Sequence, residues 1–170
     1  IGITLYPNDG TQYTDLLKNA DMAMYRAKKA GRNNIQFYSP EMNEEMQRQL
    51  VIENELRTAF LEDQFKLYYQ PIIDIETNEI LALEALLRWE HPQKGLIKPS
   101  YFIDIAEQTG QLQHIGQWVI KHACLQGKAI HTSANKAIQI ALNLSNREFY
   151  HPHLINMVTE LTSNTGFNPH

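Results

Sequence analysis

Two charged side chains share one face of an otherwise apolar predicted strand. The segment from Ile80 to Trp89 is almost continuously apolar, which is typical of a strand buried on both faces. Because side chains alternate along a strand, Glu84 and Arg88 lie on one face and Leu87 lies on the other. The carboxylate could hold a hard divalent cation, and the guanidinium could bind a phosphate. The alternative is a structural Glu84–Arg88 ion pair, which desolvation would leave with little net stability.

A second predicted strand carries a polar residue at its carboxyl end. Apolar residues alternate from Ala137 to Leu144, and Asn143 lies on the opposite side from them. Parallel barrels keep their ligands at the carboxyl ends of their strands, so the Asn143 amide oxygen could coordinate a cation. It could equally satisfy a backbone group of the loop or cap the helix predicted to begin near Asn146. Gln70, which precedes Pro71 at the end of another strand, indicates little by itself.

The elements around these residues predict an α/β architecture. Two strands joined by the turn-prone Thr77-Asn78 predict an antiparallel hairpin, and the following segments alternate between helix and strand. A complete (β/α)₈ barrel needs about 250 residues, so a barrel here would be a partial one. The predicted elements are strands over Phe65–Ile73, Ile80–Trp89 and Ala137–Leu144, and helices over Pro99–Thr109, Gln113–Ile130 and Asn146–Thr162.

The first 62 residues differ from the remainder. They predict a strand over Ile1–Tyr6, a helix over Tyr13–Ala30 and a strand over Asn34–Tyr38, which is too little for an independent core. A charged amphipathic helix from Glu41 to about Glu62 follows, and its position makes it a candidate link between two domains. The alternative is that its apolar stripe packs on the domain that follows.

Composition excludes several classes of protein. Residues 1–40 carry a net charge of +2 and the remainder −6, so the total of −4 provides no broad positive field for binding duplex nucleic acid. Cys124 is the single cysteine, which excludes an intramolecular disulfide and suits a reducing compartment. The seven histidines lack zinc-site spacing, and His151-Pro152-His153 is interpreted as a solvated loop. Because the sequence starts at Ile1 without Met, we expect it to begin inside a longer protein.

Several strings resemble known families. The strings that follow residue 45 resemble the opening motifs of the EAL domain family, and those before residue 34 resemble the C-terminal end of a GGDEF domain. The EAL-like strings are Tyr69-Gln70-Pro71-Ile72, Glu84-Ala85-Leu86-Leu87-Arg88-Trp89, Pro99, Phe102-Ile103, Ala106-Glu107 and Asn143-Leu144-Ser145. The GGDEF-like strings are Ile1-Gly2-Ile3, Leu5-Tyr6-Pro7, Asp9-Gly10, Leu17-Lys18-Asn19-Ala20-Asp21, Met24-Tyr25-Arg26-Ala27-Lys28 and Gly31-Arg32-Asn33.

The resemblance implies a fold and a domain order. Residues 1–40 would be the C-terminal β-α-β piece of a GGDEF domain, which has a nucleotidyl-cyclase-like α+β fold. Residues 41–62 would be the linking helix. Residues 63–170 would be the N-terminal portion of an EAL domain, a TIM-like barrel whose first strand runs antiparallel to its neighbour. The tandem is familiar from bacterial cyclic di-GMP signalling proteins.

The resemblance also implies a phosphodiesterase that opens cyclic di-GMP to linear pGpG with Mg²⁺ or Mn²⁺. Glu84 and Asn143 match metal ligands of the catalytic site, while Gln70, Leu87 and Arg88 match substrate-binding positions. In the GGDEF-like part, Lys28 and Arg32 match positions that contact nucleotide phosphates. Two ligands cannot complete a two-metal site, so we expect these 170 residues by themselves to be inactive.

Two alternatives to a phosphodiesterase remain at this point. The EAL part could bind cyclic di-GMP or a protein partner without hydrolysis, or the longer protein could act mainly as a diguanylate cyclase with an inert EAL tail. The resemblance further implies a cytoplasmic location and a homodimer formed through EAL domains. No membrane contact is expected from these residues, and a membrane anchor elsewhere in the protein is left open.

Overall fold

The computed structural model describes residues 1–134, 137–150 and 152–168 of the chain. The chain divides into two units, Ile1–Asn54 and Glu55–His170. The domain boundaries predicted at residues 40 and 62 stay predictions.

The first unit is built on two very short parallel strands. Strand β1 (Gly2–Ile3) pairs in parallel with β2 (Gln36–Phe37), and helix α1 (Tyr13–Lys29) connects them. A Cβ atom at Gly2 would collide with the carbonyl oxygen of Ala20, so α1 crosses β1 at backbone contact distance. The β-α-β order is the one predicted, although both strands are shorter than the apolar runs suggested.

A 21-residue helix follows these elements. Helix α2 spans Glu41–Leu61, close to the predicted extent. At its start Met42 packs on Met22 and Ala23 of α1, and towards its end Leu56 is fully buried. Its role as a link between domains stays a prediction.

In the second unit the predicted antiparallel hairpin is confirmed. Strand β3 (Phe65–Ile73) pairs along its whole length with β4 (Ile80–His91). The Asp74 carboxylate closes the turn between them by accepting hydrogen bonds from the backbone N–H groups of Glu76 (2.9 Å) and Thr77 (2.8 Å). An Asx turn of this kind fixes the register that places each strand residue on its face.

The other edge of β4 is shared by two strands. Strand β6 (Gln139–Leu142) pairs in parallel with Ala82–Ala85, and β5 (Gly95–Ile97) pairs antiparallel with Trp89–His91. Strand β5 was not predicted, because three residues carry too little alternation to be recognised. Within the described residues, β3 and β6 each pair with β4 alone. The arrangement is a partial TIM-like sheet with its first strand antiparallel, as predicted.

The helices follow the predicted order with one correction. A continuous helix over Asn146–Thr162 was wrong, because the chain leaves the helical path near Pro152, which has no N–H to donate. Gly166, with φ of 67°, ends the last helix as predicted. His151 of the predicted solvated loop lies outside the described residues. The helices are α3 (Ile103–Gln108) after a 3₁₀ turn (Pro99–Tyr101), α4 (Leu112–Ala134), α5 (Asn146–Phe149) and α6 (Leu154–Thr165).

An aromatic core supports the helix-facing side of the hairpin. The rings of Phe65, Trp89 and Phe102 are buried, and their centroids lie 5.4–6.0 Å apart. The Trp89 indole donates a hydrogen bond of 2.8 Å to Gln64 Oε1, which satisfies its polar group. Burial of this side anchors β3 and β4 and leaves their opposite faces for Gln70 and Glu84. In the stretches that the structure describes, no helix is both long and apolar enough to cross a membrane.

Candidate functional site

Three strands align polar residues in one row. Gln70 of β3 lies directly opposite Glu84 of β4, and Glu84 lies opposite Ala141 of β6. Residues paired across a sheet share a face, and Asn143 shares the face of Ala141 because it lies two residues further on. The register alone therefore brings Gln70, Glu84 and Asn143 to the same side of the sheet.

The row is closed by a direct hydrogen bond. Asn143 Nδ2 donates to Glu84 Oε1 over 2.6 Å, although the two residues are 59 positions apart in the sequence. The bond forms because β4 and β6 run parallel, so their carboxyl ends point to the same edge of the sheet. Asn143 is exposed and Glu84 is half-buried, which leaves the pair accessible to a ligand.

The alternative interpretation of Asn143 as a helix cap is wrong. Ser145 is the N-cap of α5, and its side chain accepts a hydrogen bond from the backbone N–H of Glu148 at 3.2 Å. The Glu148 carboxylate in turn accepts bonds from Ser145 N (2.9 Å) and Ser145 Oγ (2.6 Å). The pattern Ser-x-x-Glu is a sequence signal for such a capping box, so these two residues could have been found from the sequence.

Arg88 lies towards the carboxyl end of β4, on the face of Glu84. Its Nη1 donates a hydrogen bond of 2.7 Å to the backbone carbonyl of Leu87. Within the described residues Arg88 and Glu84 form no ion pair, so the structural alternative for these two charges is not supported. The Leu87 side chain is buried on the opposite face, and Leu86, which the sequence analysis did not single out, lies between the two charged residues on their own face.

A cavity borders the carboxyl ends of β4 and β6. Its volume is about 330 Å³, and its lining includes Arg88, Leu87 and Asn143 from the strand ends and Ser145 and Glu148 from the loop and helix that follow β6. Strand ends, with a cavity beside them, are where α/β proteins of the barrel type bind ligands.

Tyr69, the neighbour of Gln70, lies on the helix-facing side of β3. Its hydroxyl is buried and has no hydrogen-bond partner among the residues that the structure describes. Burial, with a smaller contribution from nearby Cys124, raises the pKa of Tyr69 to about 12. The two sides of β3 therefore differ sharply, because the Gln70 side chain is exposed to solvent.

The two basic residues predicted to bind nucleotide phosphates lie in the first unit. Lys28 is exposed in the last turn of α1, and Arg32 follows shortly after the helix with φ of 60°. The Asn34 side-chain amide donates to the carbonyl oxygens of Ala27 (2.9 Å) and Arg32 (2.8 Å), which holds this bend. These residues belong to a different unit from the Glu84 row.

Glu84 and Asn143 are suited to a hard cation. A carboxylate and an amide oxygen are the donors that Mg²⁺ and Mn²⁺ prefer, and rotation of the Asn143 amide would present Oδ1 in place of Nδ2. No group of three or more His, Cys, Asp or Glu side chains that could hold a metal exists in residues 1–134, 137–150 and 152–168. Among the described residues, Glu84 and Asn143 therefore offer two neighbouring oxygen donors, which are fewer than a complete cation site needs.

Comparison with known proteins matches this chain to two family models. The model for the EAL domain matches residues 53–170, and that for the diguanylate cyclase, GGDEF domain, matches residues 1–34. The chain is 41% identical over 143 residues to the cyclic di-GMP phosphodiesterase NbdA of Pseudomonas aeruginosa, covering 84% of this chain and 18% of NbdA. It is 44% identical over 158 residues to the bifunctional diguanylate cyclase/cyclic di-GMP phosphodiesterase MucR of the same organism, covering 93% and 23%.

Solved structures have the same fold. The chain is similar to the PaMucR phosphodiesterase in its c-di-GMP complex, with a TM-score of 0.66 and 37% identity over 69% of this chain and 48% of that one. It is also similar to the EAL enzyme Bd1971 in its cAMP- and cyclic-di-GMP-bound form, with a TM-score of 0.68 and 28% identity over 95% and 42%. The chain spans about a fifth of the length of the curated relatives it matches.

Proposed function

Since this chain belongs to the EAL domain family through residues 53–170, we propose that it is part of a phosphodiesterase that hydrolyses cyclic di-GMP to linear pGpG. One observation carries the proposal, namely the 2.6 Å hydrogen bond that joins Glu84 to Asn143 beside Gln70. Folding brings these residues together at the edge of the sheet where barrel enzymes bind substrates. The similarity to NbdA and MucR, which are named as phosphodiesterases of this dinucleotide, supports it.

Each residue of the row has a proposed role. Glu84 and Asn143 would hold Mg²⁺ or Mn²⁺, Arg88 would bind a substrate phosphate, and Gln70 would contact the substrate. Leu87 is predicted to bind substrate. Its proposed contribution is indirect, because its backbone carbonyl accepts a hydrogen bond from Arg88 and so orients the Arg88 side chain. When bound, a divalent cation supplies stabilisation for the charge that develops in displacement at phosphorus.

The proposed partners follow from the same family. Cyclic di-GMP is the substrate, and a homodimer through EAL domains is proposed for the whole protein. Lys28 and Arg32 are proposed to contact nucleotide phosphates as part of a GGDEF domain. We propose a cytoplasmic location, since the free thiol of Cys124 suits a reducing environment. By themselves, the 170 residues are proposed to be inactive, since Glu84 and Asn143 supply too few ligands for a two-metal site.

The proposal is tested by turnover of the full-length protein. Glu84→Ala should abolish Mg²⁺- or Mn²⁺-dependent conversion of cyclic di-GMP to pGpG while the melting temperature changes little, because Glu84 is only half-buried. Glu90→Ala is the matched control, since Glu90 lies on the same face of β4, six residues further on. Equal turnover in wild type and Glu84→Ala would remove Glu84 from the site. Binding of cyclic di-GMP without turnover in the wild type would instead identify a receptor.

A further inference from the structure

The loop that carries Asn143 is held by a carboxylate outside the row. We infer that Glu148 is a positioning residue that holds the loop between β6 and α5, which contains Asn143, against α4. Gly116 of α4 leaves the space that the Glu148 carboxylate occupies. The inference rests on the proposed function insofar as Asn143 is a cation ligand. The positioning itself depends only on contacts within the second unit.

Each carboxylate oxygen of Glu148 contacts a different part of the second unit. Oε2 accepts hydrogen bonds from the backbone N–H and the hydroxyl of Ser145, two residues after Asn143. Oε1 lies against Gly116 of α4, where an added Cβ would overlap it and would also lie 3.2 Å from the Glu148 Cδ. One side chain therefore connects the loop after β6 to the long helix packed behind it, and only glycine at position 116 leaves room for it.

Two cavities border Glu148. One has a volume of about 330 Å³ and is also lined by Asn143, and the other has a volume of about 390 Å³. Both cavities are lined by Glu148 and Gly116, together with Leu112 and Leu144. Beside these cavities, the contacts of Glu148 with Ser145 and Gly116 hold the chain between Asn143 and α5 against α4.

A ligand that is free to move binds its cation less tightly. The residues that orient metal ligands often matter nearly as much as the ligands, and their removal typically costs about 10- to 100-fold in metal affinity or activity. Asn143 is exposed, so its position depends on its hydrogen bond to Glu84 and on the backbone that Glu148 holds at Ser145, two residues further on.

The test measures Mn²⁺ binding to the full-length protein. Binding is monitored through the loss of the electron paramagnetic resonance signal of free Mn²⁺. Glu148→Ala and Gly116→Ala should each weaken Mn²⁺ binding about tenfold. The double variant should be no worse than Glu148→Ala, because Gly116 acts through Glu148. Glu148→Gln should retain most of the affinity, since its amide oxygen can still accept from Ser145. Glu160→Ala, which removes an exposed carboxylate from α6, is the control and should bind like the wild type.

The outcomes separate this inference from the proposed function. If Glu84→Ala leaves Mn²⁺ binding of the protein unchanged, the proposed cation site fails. If Glu84→Ala abolishes binding but Glu148→Ala binds Mn²⁺ like the wild type at the same melting temperature, the positioning role of Glu148 is overturned. If the losses of Mn²⁺ affinity in the two single variants add up in the double variant, the inference that Gly116 acts through Glu148 is likewise overturned.

Discussion

Replacing Asn143 with aspartate tests the geometry of the row most sharply. The wild-type amide donates a hydrogen bond of 2.6 Å to Glu84 Oε1, whereas an aspartate side chain would place a second carboxylate at that position. The substitution keeps the size and shape of the side chain, so its effect reports charge rather than packing. Without a cation, Asn143→Asp should destabilise the second unit.

The magnitude follows from the separation. Two unit charges 2.6 Å apart repel by about 1.6 kcal/mol in a medium like water, and by about 6 kcal/mol at an effective dielectric constant of 20. Because Asn143 is exposed, the lower figure applies. For a domain of about 150–250 residues it corresponds to a fall in melting temperature of about 3–6 °C.

The assay is thermal unfolding of the full-length protein at low ionic strength with and without Mn²⁺. Asn143→Asp should melt below the wild type in the presence of a chelator, and it should gain more stability from Mn²⁺ than the wild type does, since a cation neutralises the carboxylate pair. Gln117→Glu, which adds the same charge on α4, is the matched control and should not gain stability from Mn²⁺. If Asn143→Asp has the same melting temperature as the wild type both with and without Mn²⁺, the close contact between Glu84 and Asn143 is refuted.

Three further predictions concern stability and assembly. Tyr69→Phe should stabilise the protein by about 1 kcal/mol in denaturant titrations, because it removes a buried hydroxyl without a described partner. Because the pKa of Tyr69 is raised to about 12, its contribution to the free energy of unfolding is fully present below pH 10 and is lost as the pH rises towards about 12. Wild-type stability should therefore fall more steeply than that of Tyr69→Phe over this interval. Parallel curves for the two proteins would contradict the raised pKa. Backbone hydrogen bonds from Thr77 and Glu76 lower the pKa of Asp74 from its ordinary value, so the stability difference between wild type and Asp74→Ala should be present at neutral pH and shrink as the pH falls below about 4; a difference independent of pH would contradict it. The 170 residues expressed alone should form oligomers in size-exclusion chromatography, because β3 and β6 each pair with β4 alone among the described strands, whereas a sharp monomeric peak with cooperative melting would count against this.

Much of the site could be predicted because strand alternation is a local property. The apolar run around Glu84 indicated a buried strand, and the period of two placed Glu84 and Arg88 on one face, as the structure has them. The partners of Glu84 could not be read in this way. Its contact with Asn143 depends on the parallel register of β4 and β6, which is set by packing between segments 59 positions apart.

The errors have local physical causes. The helix over Asn146–Thr162 was predicted through Pro152, although its missing N–H favours a break, and β5 was too short to show a period. The Ser-x-x-Glu pattern of Ser145 and Glu148 is a capping-box signal, and it predicts Ser145 and not Asn143 as the helix cap. No sequence rule indicates that Gly116 receives the Glu148 carboxylate, because that contact exists only when α4 is packed behind the loop.

The most direct test of the central claim is the position of a bound cation. Crystals of the full-length protein grown with cyclic di-GMP and Mn²⁺ would be measured at a wavelength where Mn²⁺ scatters anomalously. We expect an anomalous peak within about 2.5 Å of oxygens of both Glu84 and Asn143, with Arg88 bound to a phosphate of the dinucleotide. A cyclic di-GMP complex with Mn²⁺ bound elsewhere, and with Glu84 still hydrogen-bonded to Asn143, would contradict it.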